Sequence, residues 1–154
     1  MRVAMAALAL VAAAPAPRLP LARAVVAAEA SIAACRAKGA HVAVEVKDAS
    51  GTTVAILVDD GAAADAIAAV RLRNLIVLRY KAASGTIEDR AKADPAFAAE
   101  VAGDPRAKAA ERGALPITGM QGFIGAYGVA GAGDGAADEE CARAGLTRIG
   151  LAAR

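Results

Sequence analysis

Residues 115–131 read LPITGMQGFIGAYGVAG, and this stretch predicts the last two strands of the protein. Leu115–Thr118 and Phe123–Val129 are two short runs that contain β-branched and aromatic residues, with a glycine-containing turn around Gln121–Gly122 between them. Two such runs joined by a tight glycine turn are typical of a β-hairpin. The glycine-rich residues 130–135 that follow predict a loop in a conformation that favours glycine.

A second hairpin is predicted earlier in the chain. In residues 42–47, VAVEVK, valine alternates with alanine or charged residues, which is the pattern of a half-buried strand. Asp48–Gly51 has the composition of a turn, and Thr53–Val58 is a second run with strand propensity. Asp59-Asp60-Gly61 closes the hairpin, and we expect Asp60 to cap the helix that follows.

Two long helices are predicted around this first hairpin. Between Leu21 and Lys38 the apolar residues recur at spacings of three and four, and Gly39 follows as a helix stop. A second helix is predicted from Ala62 to about Ala83, ended by Ser84-Gly85. We expect the basic residues of this second helix to lie on its solvated face: Arg71, Arg73, Arg79 and Lys81.

The rest of the chain is predicted to be less regular. Residues 87–112 are polar and alanine-rich, which indicates a loop holding short helical pieces. Asp138, Glu139 and Glu140 open a short final helix, because acidic residues suit the positive end of the helix dipole, and Gly145 stops it. The order of helix, hairpin, helix, strands and helix predicts an α+β domain with a mainly antiparallel sheet of four or five strands flanked by helices.

Composition excludes several classes of protein. The chain has 154 residues, of which 57% are hydrophobic and 47 are alanine, so it is not a disordered chain. Its 18 basic and 16 acidic residues leave no charge excess of the kind that binds nucleic acid. An alanine-rich core buries little apolar area per side chain, so we expect a homo-oligomer that buries more surface.

The N-terminus predicts export. Residues 1–16 combine an arginine at position 2, an uncharged apolar run and small residues before the expected cleavage site, which is the pattern of a secretory signal peptide. Cleavage is expected after Ala16 or, alternatively, after Ala13, and an uncleaved alanine-rich start is the other interpretation. Residues 17–154 would then form a single periplasmic or extracellular domain without an integral membrane span.

Several segments together resemble the GlcG/HbpS family of small haem-binding proteins. The family has a valine-rich strand running into Asp-x-x-Gly, which matches residues 42–51, and Asp-Gly-Ala, which matches residues 60–62. Its patterns Gly-x-Pro-Ile and Ile-Gly-Ala-Ile-Gly-Val-Ser-Gly-Gly are similar to residues 115–117 and 124–132. Asp-Glu-x-Cys-Ala and Ala-Gly-Leu complete the likeness at residues 138–146, so it covers nearly all of the chain after the signal peptide.

The resemblance implies a three-layer, profilin-like fold, haem or a related tetrapyrrole as cofactor, homo-oligomers and frequent export. In this family haem binding is linked in some members to haem degradation or redox sensing. The sequence departs from the family at positions that bear on ligand contacts. Arg73 stands where the family has lysine and Ile76 where it has threonine, the arginine before Asp-Gly-Ala is missing, and Ala132 displaces a glycine.

Five residues are candidates for holding haem. His41 is the single histidine, and Tyr127 is a second possible iron ligand. The alternatives are a solvated or capping histidine at a strand edge and a tyrosine of the core or the sheet surface. Arg73 and Arg71 match haem propionates in geometry, with a solvated helix face as the alternative. Gly131 begins the glycine loop beside the second helix. Cys35 and Cys141 are either bridged or two buried thiols.

These residues favour an exported haem-binding protein, in haem handling or redox sensing. An enzyme or enzyme accessory acting on a small organic acid, in the cleft between the second helix and the glycine loop, is the first alternative. A ligand-free structural or signalling multimer is the second. The sequence contains no evident nucleophile and no metal-ligand cluster, so any haem degradation would be chemistry of the iron.

Overall fold

The computed structural model describes residues 17–104, 110–120 and 122–151. The predicted signal peptide, residues 1–16, and Gln121 of the second hairpin lie outside the described residues. Five helices and four strands follow one another in this part of the chain. They are α1 (Leu21–Arg36), β1 (Ala43–Asp48), β2 (Thr53–Val58), α2 (Ala66–Tyr80), α3 (Ser84–Ala93), α4 (Pro95–Ala102), β3 (Ala114–Gly119), β4 (Gly122–Ala130) and α5 (Gly135–Arg148).

The four strands form one antiparallel sheet in the order β2-β1-β4-β3. The two predicted hairpins are therefore present, and they join through β1 and β4, with Val44 opposite Val129. Helices lie on both faces of this sheet. The predicted α+β class with a mainly antiparallel sheet is confirmed.

Alternation along β1 sends successive side chains to different layers. Val42, Val44 and Val46 are fully buried in the core that α1 and α5 cover. Ala43 packs instead with Val70 of α2, on the opposite face of the sheet. A disulfide between Cys35 and Cys141 links α1 to α5, the two helices that cover this core.

The boundaries of α2 and α3 differ from the prediction. Helix α2 begins at Ala66, and its N-cap is Asp65 and not the predicted Asp60. The helix ends at Tyr80 because the backbone of Lys81 is in the left-handed conformation, with φ 53°. Ser84 and Gly85 begin α3 instead of ending α2. The predicted loop of residues 87–112 contains most of α3 and all of α4, where the Asp94 side chain accepts hydrogen bonds from the Ala96 and Phe97 N–H groups.

The prediction that Gly145 stops the last helix is wrong. Helix α5 begins at Gly135 and continues through Gly145 to Arg148. A Cβ at residue 145 would come within 2.6 Å of the Ala27 carbonyl oxygen and would also meet Ser31 and Tyr127. Gly145 therefore serves the close packing of α5 on α1 and not the termination of the helix.

Candidate functional site at one end of the sheet

The candidate residues gather mainly at the end of the sheet where β1 begins and where β2 and β4 finish. Here the His41 carbonyl oxygen lies 2.6 Å from where a Cβ on Gly131 would stand. Gly131 also has a φ of +123°, which strains other residues. A glycine at residue 131 thus allows the glycine loop to pass directly over the chain that enters β1. His41 and Gly131 are brought together through their backbones.

On one side of this loop lies a cavity of about 330 Å³ between α2 and the start of α5. Arg73 and Gly131, both predicted as site residues, are among its lining residues. The ionisable groups of its described lining are one guanidinium, Arg73, and the four carboxyl groups of Asp65, Glu111, Asp134 and Asp138. The described lining is therefore acidic, which opposes the entry of an anion.

Arg73 does not lie on a solvated helix face, as was predicted, because it is only 9% exposed. Its Nη1 donates to the Val129 carbonyl oxygen over 2.7 Å and to Asp138 Oδ2 over 2.6 Å. Its Nε is buried without a hydrogen-bond partner among the described residues. The guanidinium is thus engaged inside the protein, between the end of β4 and α5.

Asp138 connects Arg73 to the glycine loop. Its Oδ1 accepts a hydrogen bond of 2.8 Å from the Ala132 N–H, and its Oδ2 accepts from Arg73. Burial raises the pKa of the Asp138 carboxyl, while these two hydrogen bonds and the positive charge of Arg73 act in the opposite direction. The ion pair thereby fixes the loop relative to α2.

On the other side of the loop, His41 forms a hydrogen-bonded cluster with Asp59 and Arg36. The His41 Nδ1 lies 2.9 Å from Asp59 Oδ2. The other oxygen, Oδ1, accepts from Arg36 Nε over 2.8 Å and also from Arg36 Nη2. The Asp59 carboxylate is buried, whereas the side chain of His41 is 48% exposed.

This cluster determines which nitrogen of His41 carries the proton. The hydrogen bond from Arg36 lowers the pKa of the Asp59 carboxyl, and the bond from His41 adds to that effect against the cost of burial. An ionised carboxylate only accepts hydrogen bonds, so Nδ1 must be the donor. In the neutral imidazole Nε2 then holds a free lone pair, and no described residue bonds to it.

The remaining two predicted residues, Arg71 and Tyr127, lie in different environments. Arg71 is exposed on α2, with its Nε 3.8 Å from Glu45 Oε1. Tyr127 is fully buried, and its hydroxyl lies 2.7 Å from Ser31 Oγ. Burial raises the pKa of the Tyr127 hydroxyl well above its usual range. Tyr127 is therefore a core residue, which is the alternative to a role as iron ligand.

Sequence reasoning missed a buried polar cluster beneath Arg71. The Glu45 carboxylate is fully buried and accepts from Thr53 Oγ1 over 2.9 Å and from Asn74 Nδ2 over 3.1 Å. Asn74 Oδ1 has no hydrogen-bond partner among the described residues. The signal in the sequence is the charge of Glu45, the third residue of β1, because a charged residue on a strand face that a helix covers requires partners.

The described ranges contain neither a metal-binding cluster of side chains nor a helix that could span a membrane. No group of three or more histidine, cysteine, aspartate or glutamate side chains is arranged there to hold a metal ion. No helix of these ranges has the length and apolar character needed to cross a membrane.

Comparison with known proteins agrees with the fold and with the resemblance. The family model described as "Haem degrading protein HbpS-like" matches residues 19–147. No curated protein matches the sequence.

Solved structures with the same fold include that of HbpS, which is 28% identical, with a TM-score of 0.77 and coverage of 93% of this chain and 97% of the other. A double mutant of HbpS from Streptomyces reticuli is also 28% identical, with a TM-score of 0.79 and coverage of 95% and 97%. A complex of PduOC with heme has a TM-score of 0.79 over 89% and 99% of the two chains, and its 16% identity shows the fold alone.

Proposed function

The chain belongs to the HbpS-like family of haem-degrading proteins, and from this premise we propose that it is an exported haem-binding protein in which His41 holds the iron. At the level of the family, the function is haem-related. The observation that supports the finer proposal is the state of His41, whose side chain is 48% exposed and whose Nε2 bonds to no described residue, while Nδ1 is bonded to a buried carboxylate. Metal-binding histidines usually have this second hydrogen bond, which orients the ring.

The residues around His41 fit haem better than those of the acidic cavity do. Histidine is a common axial ligand of haem iron, whereas the described lining of the cavity contains no histidine, cysteine, methionine or tyrosine. Beyond His41, the exposed side chains of Val58 and Ile56 lie on one face of β2, opposite Ala43 and Glu45. They offer apolar surface of the kind that a tetrapyrrole ring covers.

Arg71 is the better of the two arginines for a propionate. It is exposed and lies beside Glu45, whose cross-strand partner is Ile56, so the guanidinium borders the same apolar strip. Arg73 is buried and already paired with Asp138. Haem, when bound, supplies redox and oxygen chemistry, and the role of the protein is to bind and orient it.

Export is supported by two independent features. Residues 1–16 have the composition of a signal peptide, and the Cys35–Cys141 disulfide belongs to the class of bonds that persist in oxidising compartments. We also propose that the protein is a homo-oligomer, because the exposed apolar side chains of Leu21 and Val26 on α1 and of Leu72 on α2 leave surface for another subunit. Haem handling or redox sensing outside the cytoplasm is the function that follows.

The test is a titration with haemin followed by absorbance. We expect a saturable change of the Soret band at about one haem per chain, and a loss of affinity of at least about 10-fold with His41→Ala. Met120→Ala is the matched control, since Met120 is a fully exposed possible iron ligand on the other hairpin. Non-saturating changes with the unmodified protein would reject haem binding as the function. Unchanged haemin affinity in the His41→Ala variant would reject His41 as the iron ligand. If haemin does not bind, the two alternatives are an enzyme or enzyme accessory acting on a small organic acid and a ligand-free multimer.

A further inference from the structure

We infer that Asp59 and Arg36 act as an opposed pair that sets how strongly His41 donates electrons to a bound iron. The inference rests on the proposed function and concerns two positioning residues that do not contact the cofactor. The geometry separates their roles, because His41 bonds to Oδ2 of Asp59 and Arg36 bonds to Oδ1.

Asp59 polarises the imidazole ring of His41 through the hydrogen bond at Nδ1. A carboxylate that accepts the Nδ1–H bond draws the proton towards itself and leaves more electron density on Nε2. The Asp59 side chain has no exposed surface, whereas the side chains of His41 and Arg36 are about half exposed, so burial of the carboxylate weakens the screening by water without removing it. A nitrogen with more electron density stabilises ferric iron relative to ferrous iron, because the ion of higher charge gains more from it.

Arg36 works against this effect. Its guanidinium donates twice to Oδ1 and withdraws negative charge from the same carboxylate that polarises His41. Arg36 belongs to α1 and Asp59 follows β2, so the strength of the pair depends on how the helix lies on the hairpin. The side chain of Arg36 is 53% exposed, which makes it removable without opening the core.

The two residues therefore predict shifts of opposite sign. Asp59→Asn weakens the acceptor for Nδ1–H and should raise the reduction potential of the bound haem. Arg36→Gln frees the carboxylate from its competing cation and should lower that potential. Changes in such outer partners commonly alter metal binding by 10- to 100-fold, so we expect a change in the ferric-to-ferrous affinity ratio of about 10-fold for Asp59→Asn, which is 59 mV for one electron.

The experiment is a redox titration of the haem complexes of the unmodified protein and both variants. Lys92→Gln is the control, because it removes one exposed cation of α3 that pairs with Glu88. Opposite shifts from the two variants, with no shift from the control, support the inference. Unchanged potentials, or shifts in the same direction, overturn it while leaving haem binding intact.

A second measurement needs no haem and separates the two failures. Nitrogen-15 NMR of the imidazole in the unmodified protein should show the proton on Nδ1, and Asp59→Asn should move the population towards the Nε2–H form. A proton on Nε2 in the unmodified protein would overturn the inference directly. If no saturable haemin binding occurs, the proposed function fails and the inference fails with it, whatever the NMR shows. Should Asp59→Asn not fold, the Arg36→Gln potential and the tautomer of the unmodified protein remain decisive.

Discussion

Removal of the disulfide between Cys35 and Cys141 should cost a large part of the stability of this domain. The two cysteines are separated by 106 positions, so the bond closes a loop of roughly that length in the unfolded chain. For a loop of about 100 residues, the chain-entropy estimate is about 4.7 kcal/mol at 25 °C. Folded domains are stable by only about 5–15 kcal/mol in total, so the loss should be evident in any unfolding experiment.

The assay is urea denaturation followed by circular dichroism, with the Cys35→Ala, Cys141→Ala and double variants compared to the oxidised protein. With a denaturant slope of about 2 kcal/mol/M, the predicted loss moves the midpoint down by about 2 M. Each single variant should lose as much as the double variant, because either one abolishes the bridge. The reasoning is refuted if the two single losses add, or if the midpoint moves by less than about 0.5 M.

Three further predictions concern packing, the buried ion pair and pH. Gly145→Ala should destabilise the protein by about 1–3 kcal/mol in thermal unfolding, because the new methyl group meets the Ala27 carbonyl oxygen. Helix propensity alone favours alanine, so a gain in stability would contradict the packing argument. Arg73→Gln should cost about 3–5 kcal/mol in denaturant unfolding, since it leaves the buried Asp138 carboxylate without its cation, and Asp138→Asn in the same background should recover part of the loss. The pKa of Asp59 is lowered by folding, so its stabilising effect is fully present above the unfolded pKa of about 3.9 and lost as pH falls through the lower, folded value. The stability difference between the unmodified protein and Asp59→Asn should therefore shrink in acid, and a difference that grows there would show that the sign is wrong.

The strands were predictable because each carries its own signal. Valine alternates with other residues along residues 42–47, and the turn residues 48–51 fix where the chain reverses. The antiparallel hairpin then places the residues just before β1 beside those just after β2, which is how His41 comes to meet Asp59. That proximity follows from the sequence pattern, whereas the contribution of Arg36 depends on the docking of α1, which no local pattern specifies.

The error over Arg73 has a geometric cause. Successive residues of an α-helix are rotated by about 100°, so Arg71 and Arg73 are about 200° apart and do not share one face. Charge alone grouped them on the solvated side, but only Arg71 is there. The partner of Arg73, Asp138, lies 65 positions away, and a contact of that separation is fixed by tertiary packing.

The engaged state of Arg73 also decides between the two candidate positions for an anionic ligand. A propionate in the cavity would meet an Arg73 that is already paired with Asp138, and the other carboxyl groups of the described lining, those of Asp65, Glu111 and Asp134, would repel it. At His41 no bond between described residues needs to break, because none of them bonds to Nε2, while Asp59, itself bonded to Arg36, holds the Nδ1 side of the ring. We therefore expect Arg71→Gln to weaken haemin binding and Arg73→Lys, which retains the positive charge beside Asp138, to leave it within about 2-fold, a difference of about 0.4 kcal/mol. A large loss with Arg73→Lys in a protein of unchanged stability would move the proposed site from His41 to the cavity beside α2.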